Sequence, residues 1–285
     1  MKIRDKGNGR FSEAPASDQE AMVAAYLAGD GLRCAGRRFG YSSTAVALAM
    51  RRRGVASRSL ADARREYAVN DLYFHQIDCE QKAYWLGFIA ADGCAIKSGA
   101  CRYLQVTLQR RDVNHIRQLA EHMAFKGPIH FYRGQDGIRR PCLRVCSSRV
   151  ADDLERIGIF PAKTASVKPW RGPDGLLRHY WRGVVDGDGS LYQANQTKQW
   201  CIALNGNQVM VEGFASFVQN KTGEKAIVRR DRDTNSFYVR YGAMRVCKEI
   251  CRLLCGGATV FLDRKMDAAN QIAAVEPASR GRPWR

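Results

Sequence analysis

The segment Tyr84–Gly93, YWLGFIAADG, is a short apolar run that stops abruptly on an acid and a glycine. The chain repeats it at Tyr180–Gly189 as YWRGVVDGDG. The residues after each copy repeat as well. Residues 103–123 match 200–218, each reading as a strand that leads into an amphipathic helix. Residues 141–159 match 237–255 in the same way, and 127–134 and 226–233 supply one further strand per copy. A period near one hundred residues means duplicated domains rather than a solenoid. The pattern predicts an α+β protein of two pseudo-twofold-related αββαββα repeats. Their helices lie on one face of an antiparallel, saddle-shaped sheet.

Along the predicted strands the side chains alternate. Leu104, Val106 and Leu108 fall on one face, and Tyr103, Gln105, Thr107 and Gln109 on the other. Arg144 lies between inward Leu143 and Val145, while Tyr238 and Arg240 oppose Phe237 and Val239. Arg229 and Arg230 belong to the neighbouring strand. One face is therefore apolar and packs on helices. The other carries the side chains that hold phosphates and read base edges, where an ordinary solvated face would be rich in Glu and Lys.

The charge balance agrees. The 285 residues carry 46 Lys and Arg against 28 Asp and Glu, a net charge of +18, which favours polyanionic partners. No apolar run reaches the length of a membrane span, and the N-terminus lacks the apolar core of a secretory signal. The ten cysteines include Cys247, Cys251 and Cys255 along one side of a predicted helix, with no zinc-knuckle spacing. They read as buried, reduced thiols of a cytoplasmic protein, nucleoid-associated if the host is bacterial or viral.

Before the repeats, residues 18–65 read as a helix-turn-helix domain. The first helix opens at Ser17-Asp18 and ends near Gly29. The second is closed by Gly40, and the third runs from an N-cap at Ser42 to Gly54. Val46, Ala49 and Met50 face inward; Ser43, Thr44, Ala47 and Arg51 face outward, toward a major groove. A plain three-helix bundle for protein contact is the competing reading, and the run Arg51–Arg53 favours DNA. The organisation expected is a basic tail over 1–17, the helical domain over 18–65 and a linker over 66–78, with one short helix in the stretch 57–78. The repeats lie at 79–168 and 169–272, with a basic tail over 273–285.

Gly87 and Ala91, like Gly183 and Gly187, stand four apart on one helical face, a spacing that lets two helix backbones approach closely. If these helices pack together, Asp92 and Asp188 meet at two negative dipole ends, an arrangement that a divalent cation relieves. Oxygen donors favour Mg²⁺, for which Mn²⁺ can substitute. An EF-hand loop starting at Asp186 is excluded, because Leu191 and Thr197 occupy its required Gly and Glu positions.

The two segments, WLGFIAADG and WRGVVDGDG, resemble the paired signature of the LAGLIDADG homing endonucleases, over roughly residues 79–272. The resemblance implies a single-chain monomer that lays its sheet in the major groove of double-stranded DNA. It would cut each strand by in-line attack of water activated by a divalent metal ion. It maps the metal-binding acids onto Asp92 and Asp188, with the backbone of Gly93 and Gly189 as further metal contacts. The earlier acid of the signature survives as Asp186 in the second copy and is Ala90 in the first. It also implies a lysine late in each repeat, Lys163 and Lys265, to stabilise the phosphate or polarise the water. A DNA-binding transcriptional regulator that keeps the fold without catalysis is the alternative, and the retention of both acids argues against it. An intein is disfavoured, since no splicing blocks are seen.

Overall fold

A computed structural model describes residues 14–28, 30–56, 67–98, 101–160, 166–232, 234 and 236–276 of the chain. They form two compact units, residues 1–68 and 69–285.

The first unit contains α1 (Ala16–Leu27), α2 (Leu32–Phe39) and α3 (Ser43–Arg52). They close on a small core of their own, built from Met22, Val23, Tyr26, Ala35, Val46, Ala49 and Met50. Helix α1 starts earlier than the expected cap at Ser17. Pro15 takes the N-cap position without a side-chain cap, and its fixed φ suits a helix start. Asp18 instead lies in the first turn, where its carboxylate accepts a 2.7 Å bond from the Tyr41 hydroxyl. Ser42 caps α3 as expected, accepting from the Ala45 N–H. Gly40 closes α2 at φ 78°, in the left-handed region that glycine tolerates. Gly29 and residues 57–66, part of the stretch expected to hold one short helix, lie outside the described residues.

In the second unit the repeats are legible element by element. The first runs α4 (Glu80–Asp92), β1 (Gly93–Ser98), β2 (Cys101–Thr107), a 3-10 turn (Arg110–Asp112), α5 (Val113–His122), β3 (His130–Arg133), β4 (Arg139–Cys146) and α6 (Ser148–Arg156). The second runs α7 (Asp174–Asp188), β5 (Gly189–Gln193), β6 (Trp200–Gly206), α8 (Gln208–Thr222), β7 (Arg229–Arg230), β8 (Phe237–Tyr241), α9 (Met244–Cys255) and α10 (Asp263–Ala274). The strands form two antiparallel four-stranded sheets, one per repeat, ordered β1-β2-β4-β3 and β5-β6-β8-β7. Helix α10 adds to the expected repeat.

The expected linker is only partly one. Tyr73 and Phe74 are buried in the core of the second unit, and the Asn70 N–H bonds the Met123 carbonyl.

Helices α4 and α7 form the centre. Each is buried all round, over Ala83–Ala90 and His179–Asp186, because each lies between the other helix and a sheet. Their backbones touch. A Cβ added at Gly87 would stand 1.9 Å from the Tyr180 carbonyl oxygen, and one at Gly183 would stand 2.0 Å from that of Tyr84. The two glycines are thus reciprocal contacts about the pseudo-twofold axis. One Cβ at Gly187 would run into the Ala91 side chain at 2.3 Å, which completes the small-residue interface.

The polar interior differs between the repeats. Arg182, 1% exposed, stands where the first copy has Leu86. Its guanidinium donates to the carbonyls of Val260 and Leu254 and to Glu80 of α4, so these bonds fasten the second repeat and join it to the first.

Candidate active site and nucleic-acid interface

The two signature acids are the last residues of their helices. Asp92 ends α4 and Asp188 ends α7, both exposed although the turns before them are buried. Gly93 and Gly189 stop the helices by leaving in extended conformation, φ −87° and −86°. Close approach is what demands glycine there. A Cβ at Gly93 would stand 2.6 to 2.9 Å from Ile89 atoms, and one at Gly189 would stand 2.5 Å from the Val185 carbonyl oxygen.

The crossing brings the two ends together. A Cβ at Gly187, the residue before Asp188, would lie 3.5 Å from Asp92 Oδ2. The two acid-terminated helix ends thus lie close together, each at the negative end of a helix dipole, and neither helix has a basic residue in its last turn.

The cation that faces this end comes from α10. Lys265 is 6% exposed, and its Nζ donates to the carbonyl oxygens of Val185 and Asp186 at 2.6 Å and of Gly189 at 2.8 Å. An ammonium has three N–H donors, and these carbonyls occupy them. Lys265 therefore caps the C-terminal turn of α7 with a charge, close enough for its field to reach Asp92 and Asp188. Burial pushes its pKa down to about 8, against the opposing pull of Asp186 and the two signature acids. Lys163 falls among residues 161–165, outside the described residues.

Behind Lys265 lies a polar chain that the sequence did not disclose. Asp186 is buried and accepts from the Tyr84 hydroxyl at 2.7 Å and from the Leu262 N–H at 2.8 Å. Burial raises its pKa, opposed by Lys265, Tyr84 and Leu262. The single Tyr84 hydroxyl hydrogen goes to Asp186, so at 2.9 Å the Nε2–H of His115 donates to the Tyr84 oxygen. Burial pushes the His115 pKa down to about 3, helped by Arg264, His122 and Lys265, and the ring is neutral. The one available signal was the contrast of Asp186 with Ala90.

On the open sheet face, strand register brings together most of the expected side chains. Gln105 pairs with Arg144, and Tyr103 and Thr107 lie on the same face of β2. In the second repeat Arg229 pairs with Tyr238, and Arg240 lies two residues along β8 on that face. Gln109 comes just after β2 and is exposed. Arg230 pairs with Phe237 and so takes the opposite face of its ribbon. Tyr132 was not singled out from the sequence, yet the β3–β4 pairing sets it on the open face, where Arg144 meets its ring at 5.7 Å.

In the first unit Thr44 and Arg51 are exposed on α3 and Ser43 is partly so, whereas Val46, Ala49 and Met50 are buried. The basic run at the end of α3 is divided. Arg53 turns back to the Gln19 side chain and the Ala16 carbonyl of α1, and Arg51 stays exposed.

Among the described residues, no three or more His, Cys, Asp or Glu side chains cluster as a metal site by themselves. Cys247 and Cys251 are buried and unbridged, and burial pushes the Cys247 thiol up to about 11 and that of Cys251 higher still. No described helix is long and apolar enough to cross a membrane.

No protein-family model matches the chain, and no curated protein is similar to it. Among solved structures it is similar to the meganuclease I-SmaMI bound to uncleaveable DNA, at 11% identity and a TM-score of 0.46, covering 65% of this chain and 86% of that one. It is similar to the I-LtrWI LAGLIDADG homing endonuclease bound to target DNA, at 10% identity and a TM-score of 0.47, covering 71% and 90%. The LAGLIDADG homing endonuclease I-GzeII in complex with its DNA target stands at 11% identity and 0.47, covering 70% and 90%.

Proposed function

We propose that the chain is a site-specific double-strand DNA endonuclease of the LAGLIDADG homing type, acting as a monomer on a long, nearly asymmetric target. The observation that carries the reading is the convergence of Asp92 and Asp188, both exposed, where α4 and α7 end side by side. As a structural arrangement it is unfavourable, since like charges meet at two negative dipole ends.

The donor set fits Mg²⁺ or Mn²⁺, since both acids offer oxygen and leave room for phosphate and water. A bound divalent cation supplies a lowered water pKa and neutralises charge on the attacking and leaving oxygens. The chain's own residues do the positioning. Gly87 and Gly183 set the helix spacing that fixes the separation of the acids. Lys265 holds the last turn of α7, and thereby Asp188, acting through the backbone rather than on the phosphate. Lys163 is proposed for direct contact with the reacting phosphate, and the carbonyls of Gly93 and Gly189 as further metal contacts.

The sheet face with Tyr103, Gln105, Thr107, Gln109, Arg144, Arg229, Tyr238 and Arg240 lies against the major groove in this reading. The first unit works as a helix-turn-helix, adding DNA affinity through Ser43, Thr44 and Arg51. Incubating the purified chain with a randomised plasmid library and Mg²⁺ tests the proposal. Defined double-strand cuts are expected from the wild type and none from Asp92→Asn or Asp188→Asn. A protein that selects a site yet never nicks it with Mg²⁺ or Mn²⁺ is a regulator on the same fold.

A further inference from the structure

We propose that Arg144 reads one guanine in the half-site bound by the first repeat. The inference rests on the reading of this sheet face as a DNA interface and adds to it a base, a residue and an asymmetry between the half-sites.

Arg144 is held before any ligand arrives. One of its terminal nitrogens donates to Gln105 Oε1 at 3.1 Å, across the β2–β4 register. Its guanidinium carbon stands 4.7 Å from the centre of the Tyr103 ring and 5.7 Å from that of Tyr132, so two aromatic rings and an amide confine it. An unrestrained arginine loses considerable rotamer freedom on docking; one already confined loses less. Its Nε is buried and makes no hydrogen bond among the described residues.

The hydrogen-bond polarity of the pair follows from chemistry alone. Arginine has donors only, so Gln105 must turn its carbonyl oxygen toward Arg144, which leaves the Gln105 NH2 as a further donor. The Gln105–Arg144 pair therefore offers the groove several donors, the remaining guanidinium N–H groups and the Gln105 NH2, against one acceptor, the second lone pair of Gln105 Oε1. Guanine presents two adjacent acceptors there, N7 and O6. Adenine sets an N6 donor beside its N7, cytosine presents a donor, and thymine has one acceptor next to a methyl group. The confined guanidinium has donors only, so it matches the paired acceptors of guanine and conflicts with the amino groups of adenine and cytosine.

The second repeat supplies an internal control. Arg240 occupies the register position that corresponds to Arg144, but it faces Ala203 where Arg144 faces Gln105. The position corresponding to Tyr103 is Cys201. Arg240 is exposed and makes no hydrogen bond or ion pair among the described residues. With neither amide nor ring to hold it, Arg240 contributes charge and little discrimination.

Selection of bound duplexes from a randomised DNA library, with the full chain and EDTA present so that nothing is cut, tests this. The wild type is expected to show one strongly guanine-specific position in one half-site. Arg144→Ala and the charge-conserving Arg144→Lys are expected to lower guanine preference there by about tenfold or more, with the other positions unchanged. Gln105→Ala is expected to weaken the same preference, and Arg240→Ala to lower affinity across all sequences alike. Thermal melts check that each variant is folded. The inference is overturned if the wild type selects a site whose guanine preferences survive Arg144→Ala, or if that variant weakens all sequences uniformly, as a phosphate contact would. If the wild type selects no sequence at all, the DNA-binding reading of the face falls and this inference with it.

Discussion

The Tyr84 hydroxyl donates a 2.7 Å hydrogen bond to the buried carboxylate of Asp186, so the first repeat reaches across the pseudo-twofold axis into the second. The symmetry mate of this contact does not exist, because Ala90 stands where Asp186 would be and the Tyr180 hydroxyl instead points to Met210 Sδ at 3.9 Å. With the Arg182–Glu80 ion pair, the bond is a polar link in a helix pair whose closest contacts are glycine-lined. Tyr84→Phe leaves the carboxylate with one donor fewer, and about 1–3 kcal/mol of stability should be lost. A double-mutant cycle with Asp186→Ala, followed by urea unfolding, should give a coupling of about 1 kcal/mol or more. Strictly additive losses would show that the bond does not join the repeats energetically.

The helix spacing allows a sharper test. Gly87→Ala and Gly183→Ala each drive a methyl into a main-chain carbonyl that cannot move without separating α4 from α7. Each should cost more than about 3 kcal/mol, beyond ordinary overpacking, or abolish folding. Gly175, in the first turn of α7, has nothing within 4 Å of an added Cβ. Gly175→Ala should be neutral or stabilising by about 0.5–1 kcal/mol. Melting temperatures of the three variants check the contrast.

Lys265→Met removes the cap on α7 and leaves the carbonyls of Val185, Asp186 and Gly189 without their buried donor. Asp186 also loses the cation whose field most favours its charged form. A destabilisation of about 3 kcal/mol or more is expected, since several buried acceptors lose their donor at once. In the proposed enzyme, the strand served by Asp188 should be cut more slowly than the strand served by Asp92, which a nicking assay with separately labelled strands resolves. Equal slowing of both strands would place Lys265 at a shared step instead.

Stability should fall on the acid side of neutrality. The His115 pKa is about 3 in the folded chain against 6.5 for a free imidazole, so below 6.5 the unfolded chain binds the extra proton and the folded chain does not. Stability from this group is thus complete above pH 6.5 and declines as pH falls toward 3, by roughly 2 kcal/mol at pH 5. His179, pushed down to about 4 by burial, acts in the same direction. Urea unfolding between pH 5 and 7 should show the slope, and His115→Gln should flatten it.

In the proposed enzyme, removing residues 1–65 should weaken DNA binding while metal-dependent cutting persists. Filter binding and cleavage on the same duplex separate the two. Loss of cutting with binding intact would make the first unit part of the catalytic machinery.

Much of this architecture is legible from sequence because it depends on local periodicity. The alternation of Leu104, Val106 and Leu108 with Tyr103, Gln105 and Thr107 fixes which side of β2 is buried, and strand register keeps that choice. Gly87 and Gly183 stand at equivalent places in two copies of one segment, so duplication alone announces that they serve one interface. The acids at the ends of those copies emerge from the same comparison.

What the sequence could not contain is the set of contacts between residues far apart in the chain. That Lys265 turns its ammonium into the carbonyls of α7 depends on where α10 docks, and nothing in the spacing of a lysine reveals which of its atoms find acceptors. That Arg182 and Asp186 are buried contradicts their polarity, and the contradiction resolves only when Glu80, Tyr84, Leu254, Val260 and Leu262 arrive from elsewhere to receive them. Sequence determined the two repeats, their faces and the acids at their helix ends, because these arise from local pattern and duplication. Tertiary structure decided which polar groups are buried with partners and which stay at the surface, because a charge enters a protein interior only where a specific partner meets it.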